Sequence, residues 1–409
     1  MSFKNNDLAI DGWKNEELNS ICDVIDSLHK TPQYSTTGYP MIRVKDLYEG
    51  YFKVSNPAYV SEEVYEEFSK KYKPEFGDIL FSRVGSYGIA SFVNTSEAFC
   101  LGQNTVGITN FREDVYNKFV YYSLISPNVK KQIEALVTGS TQKTISMKSI
   151  KSFKIDIPSL MEQKSIAHIL STLDEKIEVN NQINKILENM AQAIFKQWFV
   201  DFEFPNEDGM PYESSGGKMV ESELGLIPLG WKVHLLKDFV PVITGKKNAN
   251  VATNSGKYKF FTCSQIASKT DDYSFEGKAI LVAGNGDFNV KFYNGKFEAY
   301  QRTYVLIPHK EDLSGFIYYM MDYNLEEIVT NARGSVISYL TKGDLEDSKI
   351  AFPEKENHIQ YTVIFQIINE FILNLNKENE KLSELRDTLL PKLMSGEIRV
   401  PLDSEGDVS

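Results

Sequence analysis

Two stretches of the chain place apolar side chains at alternating steps of four and three residues. The first stretch begins after Pro158, where Ser159 and Glu162 have the spacing of a helical capping box. The residues that share one face of this stretch are Ile166, Leu170, Leu173, Ile177, Asn180, Asn184, Leu187, Ala191, Ile194 and Trp198. This heptad spacing predicts a long helix over residues 159–203 whose seam requires a helical partner.

The second stretch repeats the first at an offset of 195 residues. Its seam consists of Tyr361, Phe365, Ile368, Ile372, Leu375, Asn379, Leu382, Arg386, Leu389 and Leu393. Asn184 maps onto Asn379, and a polar residue kept in a seam is typical of a coiled coil that fixes its register. The alternative is a surface asparagine at the edge of the stripe. Pro391 is expected to end or kink the second helix near Leu390.

The helices belong to an internal duplication of the whole chain. Gly12-Trp13-Lys14 recurs as Gly230-Trp231-Lys232, and the next matches are FVYY at 119–122 with FIYY at 316–319 and QNTVGI from Gln103 with QRTYVL from Gln301. Gly139-Ser140 matches Gly334-Ser335. The β-rich segments and turn signals before the helices predict one mixed α/β domain in each copy.

We therefore expect an α+β protein with two pseudo-twofold-related α/β domains, separated by two long antiparallel helices that form a coiled coil. The segment between the helices is rich in Pro, Gly, Ser and acid, which lets the chain turn back. The predicted parts are a first domain at 1–158, a first helix at 159–203, a linker at 204–226, a second domain at 227–353, a second helix at 354–396 and a tail at 397–409.

The net charge of −12 lies outside the two predicted domains. Residues 159–229 hold 5 basic and 12 acidic side chains, and residues 354–409 hold 6 and 11. The domains themselves are close to neutral, so composition neither supports nor excludes nucleic acid as a partner. The three cysteines form no CxxC pair, and the chain has neither an apolar run long enough for a membrane span nor a signal-like start, so we expect a cytoplasmic protein.

The sequence offers no catalytic constellation. The five histidines form no metal-binding cluster, so no metal site is expected. Gly139-Ser-Thr-Gln-Lys143-Thr144 lacks the second glycine of a phosphate loop. Asn56-Pro57-Ala58-Tyr59 is similar to the NPPY box of amino-methyltransferases, but Ala58 replaces its second proline. We expect a non-catalytic chain.

Nearly the whole chain resembles the specificity subunits of type I restriction–modification enzymes. The segments that carry the resemblance are GYPMIRVKDL (38–47), GDILFSRVGSYG (77–88), GSTQKTISMKSIKSFKIDIPSLMEQKSIAHIL (139–170), IPLGW (227–231) and LSELRDTLLPKLMSGEIRV (382–400). The resemblance implies two target recognition domains that each read one part of a bipartite site in double-stranded DNA. It also implies that the helices set the spacing and dock two methyltransferase subunits, and that motor–nuclease subunits join for restriction. S-adenosylmethionine, ATP and Mg²⁺ would then belong to these partners.

Base readout uses Arg and Lys for guanine, Asn and Gln for adenine, and all of these for phosphate. In the first domain the candidates are Arg43, Lys45, Arg83, Ser86, Tyr87, Gln142 and Lys143. In the second they are Lys257, Lys259, Asn285, Asn289, Lys291, Arg302 and Arg333. Each of them is otherwise a solvated surface side chain. The competing hypothesis for the whole molecule is an interaction scaffold, in which two α/β domains on a coiled coil bind protein rather than DNA.

Overall fold

A computed structural model of the protein describes residues 12–54, 57–139, 142–330, 338–353 and 358–401. The chain divides into two compact units: the first comprises Met1–Glu178 with Asn379–Ser409, and the second comprises Val179–Glu378. Each unit contains one globular part and half of each long helix. This division differs from the sequence-based one, which placed boundaries at the helix ends, because each half-helix packs into the core of one unit.

The first unit is built from short strands and helices. Its strands are β1 (Lys14–Glu17), β2 (Asp23–Asp26), β3 (Tyr34–Ser35), β4 (Tyr39–Ile42), β5 (Gly50–Phe52), β6 (Ala58–Val60), β7 (Ile79–Ser82), β8 (Ala90–Val93), β9 (Cys100–Leu101), β10 (Thr105–Thr109) and β11 (Lys154–Ile157). Its helices are α1 (Leu18–Ile21), α2 (Glu62–Ser69), α3 (Asn117–Ile125), α4 (Pro127–Leu136), α5 (Met147–Lys151), the beginning of α6 (Leu160–Phe199) and the end of α9 (Ile359–Met394).

A five-stranded sheet in the order β2-β10-β7-β8-β5 forms the centre of the first unit. Strands β7 and β8 are buried along their whole length because α3 covers one face and further apolar side chains cover the other. A four-stranded sheet in the order β3-β6-β4-β9 lies beside α2. The ends of the globular part are joined by β1 and β11, which pair antiparallel from Lys14 opposite Ile157.

The second unit uses longer strands. They are β12 (Met219–Ser222), β13 (Gly225–Pro228), β14 (Trp231–Leu235), β15 (Val242–Thr244), β16 (Tyr258–Phe261), β17 (Ser268–Thr270), β18 (Phe275–Ala283), β19 (Val290–Ala299), β20 (Thr303–Leu306) and β21 (Lys349–Pro353). The helices are α7 (Ser314–Thr330), α8 (Lys342–Glu346) and the first half of α9 (Ile359–Met394), together with the end of α6.

The duplication seen in the sequence is also a duplication of topology. The six-stranded sheet of the second unit has the order β15-β20-β18-β19-β16-β17, and its first four strands repeat the order β2-β10-β7-β8. Strand β14 pairs antiparallel with β21 as β1 does with β11. The amide of Leu18 donates to Phe153 O, and that of Leu236 donates to Ser348 O, which preserves the 195-residue offset of the two acceptors.

The long helices pair antiparallel within each unit. In the first unit Ile166 and Leu170 of α6 share a core with Leu390 and Leu393 of α9, and the Arg386 guanidinium binds the Asp174 carboxylate at 2.8 Å. In the second unit Phe195 of α6 contacts Phe365 of α9, with ring centroids 6.1 Å apart. Every predicted seam residue is buried or half-buried, which confirms the predicted heptad face.

Details of the seam depart from the prediction. Near the end of α6 the buried side chains follow steps of four through Ala191, Phe195 and Phe199, whereas Ile194 and Trp198 are only half-buried. Asn184 Nδ2 donates to Asn376 Oδ1 at 2.9 Å, so this seam asparagine faces the other helix. Asn379 is half-buried in the first unit, and its role in fixing the register stays a prediction.

Pro391 lies inside α9, which continues past the predicted end at Leu390 to Met394. The helix ends at a left-handed glycine instead, because Gly396 has a φ of 66° and its amide donates to Leu393 O at 3.2 Å. A proline this close to the end removes only one of the last hydrogen bonds of the helix.

The segments after the two helices cover equivalent tryptophans. In the second unit the Phe204 ring stacks on Trp231 at 4.8 Å. In the first unit the Arg399 guanidinium lies 6.0 Å from the Trp13 ring and binds the Glu162 carboxylate, with Nε 2.8 Å from Oε1. Glu162 was expected to complete a capping box with Ser159; its amide does bond Ser159 Oγ at 3.3 Å, and its buried carboxylate pairs with Arg399.

Candidate nucleic-acid interface

Five of the candidate side chains in the first unit lie on two adjoining loops. The loop after β7 and the loop before α5 are joined by backbone hydrogen bonds from Gly85 N to Lys143 O (3.1 Å) and from Ile145 N to Arg83 O (3.0 Å). Gly85 has a φ of 75°, which a glycine adopts without strain at this tight turn. The candidates brought together are Arg83, Ser86, Tyr87, Gln142 and Lys143.

The solvent-facing members of this pair of loops are Ser86, Gln142 and Lys143, which are exposed. The Lys143 ammonium lies 5.8 Å from the centre of the half-buried Tyr87 ring. An exposed cation, an amide and a hydroxyl beside an aromatic ring can bind phosphate oxygens and base edges. The two loops therefore form a chemically suitable nucleic-acid contact, although their role stays a prediction.

Arg83 does not share this exposure. Its side chain is 13% exposed, its Nη1 binds Asp26 Oδ2 at 2.5 Å, and its Nε donates to Ile145 O at 3.3 Å. His29 Nε2 lies 2.9 Å from the same Asp26 oxygen. The sequence suggested a polar loop residue free to reach DNA, whereas the structure uses Arg83 to tie the two loops to β2.

Arg43 and Lys45 lie in a different part of the first unit. They follow β4, in the four-stranded sheet, and belong to or flank a short 3-10 helix at Val44–Asp46. The Arg43 guanidinium is half-buried and binds Asp46 through two hydrogen bonds of 2.7 and 3.0 Å, which raises the pKa of Arg43. Lys45 is exposed. Arg43 thus has an internal partner, the Asp46 carboxylate.

The second unit repeats the pair of loops after β18 and before α8. Leu340 N donates to Gly284 O at 2.8 Å, which is the counterpart of the bond from Ile145 N to Arg83 O. Asn285 forms a bridge with Tyr339, as Val84 does with Thr144. Gly284 thus occupies the backbone position of Arg83, and Gly286, with a φ of 70°, occupies that of Gly85.

Three of the candidates in or next to this loop have internal contacts. Asn289 is 7% exposed, and its amide donates to Cys263 O at 3.0 Å. Lys291 contacts the Asn289 side-chain oxygen, and burial lowers the pKa of Lys291. Asn285 is half-buried and accepts a hydrogen bond from Cys263 Sγ at 3.0 Å. These contacts differ from the expected exposed loop and hold its conformation against the segment after β16.

The remaining candidates of the second unit are scattered. Lys257 is exposed and lies 5.4 Å from the Tyr258 ring, and the half-buried Lys259 lies 5.6 Å from the Tyr293 ring. Both belong to β16 or its approach, away from the paired loops along the chain. Arg302 is exposed in the turn between β19 and β20. Arg333 lies outside the described residues.

Sequence reasoning missed part of this site. Gln301, Tyr339 and Lys342 line the same cavity as Arg302, next to the paired loops. A signal was available for Tyr339, because the constant offset of 195 aligns its neighbour Ser338 with the candidate Lys143 of the first copy. Lys342 aligns with Met147 by the same offset, so no comparison between the copies could have indicated a basic residue there.

Comparison with known proteins assigns the chain to a family. The sequence model of the family described as "Type I restriction modification DNA specificity domain" matches residues 10–189 and 228–386. The chain belongs to this family: it is a DNA specificity subunit of a type I restriction–modification system, with two recognition domains. Because its relatives are the specificity subunits of these multi-subunit enzymes, they also support the expectation of a non-catalytic chain.

Relatives come from several organisms. The chain is 27% identical to the type I restriction enzyme MjaIX specificity subunit of Methanocaldococcus jannaschii, over 91% of this chain and 89% of that protein. It is 35% identical to the EcoDI specificity subunit of Escherichia coli over 42% of this chain, a match that spans 40% of the relative. The crystal structure of an S subunit from M. genitalium matches with a TM-score of 0.56 at 17% identity, covering 96% of this chain and 98% of that chain, and supports the fold.

Among the described residues, no helix is both long and apolar enough to cross a membrane. No three of their His, Cys, Asp or Glu side chains come together as a group that could hold a metal ion.

Proposed function

We propose that this subunit reads a bipartite sequence in double-stranded DNA, with one recognition domain for each half-site. The observation that carries the proposal is the repeated pair of loops at corresponding ends of the two main sheets. Recognition of two separate half-sites requires two copies of one DNA-contacting element, and each unit has one such pair of loops. The repeated backbone bonds are Ile145 N to Arg83 O and Leu340 N to Gly284 O.

The loops differ in side chains while they agree in backbone. Ser86, Tyr87 and Lys143 of the first unit correspond to Asp287, Phe288 and Ser338 of the second. Since bases are distinguished by the hydrogen-bonding groups that reach their edges, this divergence favours two different half-site sequences. The scaffold hypothesis does not explain why the two copies of the loops share one backbone structure while their polar side chains differ.

The proposal includes partners and cofactors. Two methyltransferase subunits would dock on the paired helices, and motor–nuclease subunits would join them for restriction. S-adenosylmethionine, ATP and Mg²⁺ would be bound by those partners and not by this chain. A complex that acts on chromosomal DNA would work in the cytoplasm.

Methylome sequencing of a host with and without this gene tests the proposal. We expect one bipartite sequence, with two defined half-sites and an undefined spacer, to lose methylation when the gene is deleted. Complementation with the full-length chain should restore the same sequence. If deletion leaves every methylated sequence unchanged while the methyltransferase gene is expressed, the chain is a scaffold or serves another role.

A further inference from the structure

A polar cavity of about 460 Å³ opens at the end of the main sheet in the second unit. It is lined by the turn between β19 and β20, by Gly284, and by the beginning of α8. The polar side chains in its lining are Gln301, Arg302, Tyr304, Tyr339, Thr341 and Lys342, and no acidic residue is among the described lining residues.

Arg302 differs from every other described arginine. The others each bind at least one carboxylate: Arg43 binds Asp46, Arg83 binds Asp26, Arg112 binds Glu16 and Asp114, Arg386 binds Asp174 and Asp387, and Arg399 binds Glu162. Among the described residues no hydrogen bond or ion pair involves the Arg302 side chain, which is exposed. Its five N–H donors are thus available to an external acceptor.

The equivalent position in the first unit carries a long side chain. Arg83 N donates to Asn104 O at 3.0 Å, and Gly284 N donates to Arg302 O at 2.8 Å, so Gly284 stands where Arg83 stands. In the first unit the Arg83 side chain is held by Asp26. In the second unit no side chain can replace it, because a Cβ on Gly284 would lie 2.6 Å from Arg302 O. Gly284 therefore lines the cavity without adding a side chain to it.

The walls of the cavity are fixed by internal bonds. Tyr304 OH donates to Leu340 O at 2.8 Å, and Thr341 Oγ1 caps α8 by accepting from Asp344 N at 3.3 Å. Lys342 is paired with Glu346 at 3.1 Å, which leaves Arg302 as the uncompensated cation of the lining. A rigid cavity with one free guanidinium is organised before its ligand arrives, which lowers the cost of binding.

We propose that this cavity is the specificity-determining contact of the second recognition domain, and that Arg302 reads a guanine through its O6 and N7 acceptors. The guanidinium fork matches these two acceptors, and the neighbouring Gln301 amide can bind an adjacent adenine or phosphate. Tyr339, 39% exposed, supplies a flat surface at the rim of the cavity. This inference rests on the proposed DNA-reading function and adds that one residue, Arg302, recognises one base.

The test uses the full-length chain expressed with its methyltransferase subunit in a host that lacks other methylation. Arg302→Ala and Arg302→Lys should both relax one guanine position in one half-site, with discrimination at that position falling roughly ten- to a hundredfold. The other half-site should keep its sequence. Lysine retains the charge but not the fork, so relaxation by both variants identifies base reading.

The matched control is Lys310→Ala, which removes an exposed cation of the same unit beyond the far end of β20 and should leave both half-sites unchanged. If methylation were weakened equally at all sites and the recognised sequence did not change, Arg302 would contact phosphate, and the inference would be overturned. An unaltered methylome in both Arg302 variants would also overturn it. In either case the wild-type chain would still direct methylation to a bipartite sequence, whereas failure of the wild type to do so would refute the proposed function itself.

Discussion

Single residues show how the two copies diverged around a common framework. In the first unit Tyr122 OH donates to Asp174 Oδ2 at 2.6 Å, and Arg386 Nη1 donates to Asp174 Oδ1 at 2.8 Å. The offset of 195 maps Asp174 onto Asn369 and Arg386 onto Ala191. In the second unit Tyr319 OH donates to Asn369 Oδ1 at 3.1 Å. Both units therefore have the tyrosine bond. The second unit has the neutral residues Asn369 and Ala191 where the first has Asp174 and Arg386.

We therefore expect Arg386→Ala to destabilise the first unit by about 3 kcal/mol, because it leaves the Asp174 carboxylate in a largely buried site without its cation. The Asp174 side chain is only 10% exposed. Urea unfolding of the full-length chain measures the loss. Asp387→Ala is the control, since Asp387 is the other partner of Arg386 but is 65% exposed, and an exposed pair contributes about 0.5 kcal/mol or less. Equal effects of the two variants would contradict this explanation.

Individual site residues were the hardest feature to predict from the sequence. The loops could be predicted because glycine and polar residues indicate turns wherever they occur along the sequence. Whether a side chain in a loop faces solvent depends on residues far away in sequence, such as Asp26 for Arg83 and Cys263 for Asn289. Residue type and local spacing do not contain these distant partners.

At the scale of elements, two half-buried acids, Glu188 and Asp322, lie at the contact between α7 and the end of α6. Tyr318 OH donates to Glu188 Oε1 at 2.6 Å, and Tyr319 OH lies 3.4 Å from Glu188 Oε2. Burial raises the pKa of Glu188 above its ordinary value of 4.5, and the nearby Asp322 raises it further. Burial also raises the pKa of Asp322, which accepts a hydrogen bond from Gln192 at 2.9 Å.

These raised pKa values predict that the second unit loses stability as the pH rises. Between the unfolded and folded pKa values, the folded state binds more protons than the unfolded state. The contribution of Glu188 is therefore fully present below pH 4.5 and is lost as the pH rises through the folded value. Glu188→Gln keeps an acceptor for the tyrosines and removes the titration. Above pH 4.5, the urea midpoint of the Glu188→Gln variant should vary less with pH than that of the wild type.

The control for the titration is Glu326→Gln, which neutralises an exposed carboxylate of the same helix α7. It should retain the wild-type pH dependence. If the two variants had the same pH profile, the half-buried acids at this contact would not be the cause of the pH dependence.

The long elements were predictable because their signal is repeated many times along the sequence. Ten seam positions in each helix fix its existence and its face, and the observed bounds, Leu160–Phe199 and Ile359–Met394, differ from the predicted ones by a few residues. The local shift to Phe195 and Phe199 was not predictable. It follows from aromatic packing against Phe316, at 5.9 and 4.8 Å, which tertiary contacts alone determine.

At the scale of the whole molecule, α6 and α9 are the only described elements that contribute to both compact units. The two helices keep one antiparallel register in both units. Asp174 pairs with Arg386 in the first unit and Asn184 with Asn376 in the second, and the two residue numbers of each pair add up to the same total. Such antiparallel pairing is preserved if equal numbers of residues are inserted in both helices at the division between the units. The helices can thus be lengthened while each unit keeps its own core.

Seven residues with heptad spacing, inserted after Glu178 and again after Glu378, should change only the spacer of the recognised sequence. A heptad adds about 10 Å of helix at 1.5 Å per residue, which corresponds to roughly three base pairs of DNA. Methylome sequencing of a host that carries the lengthened chain should find both half-sites unchanged and the spacer longer by about that number. A seven-residue insertion between Asn206 and Glu207 leaves both helices intact and should leave the spacer as it was. An altered half-site in the lengthened chain, or an unaltered spacer, would show that the helices do not set the distance between the two DNA-contacting elements.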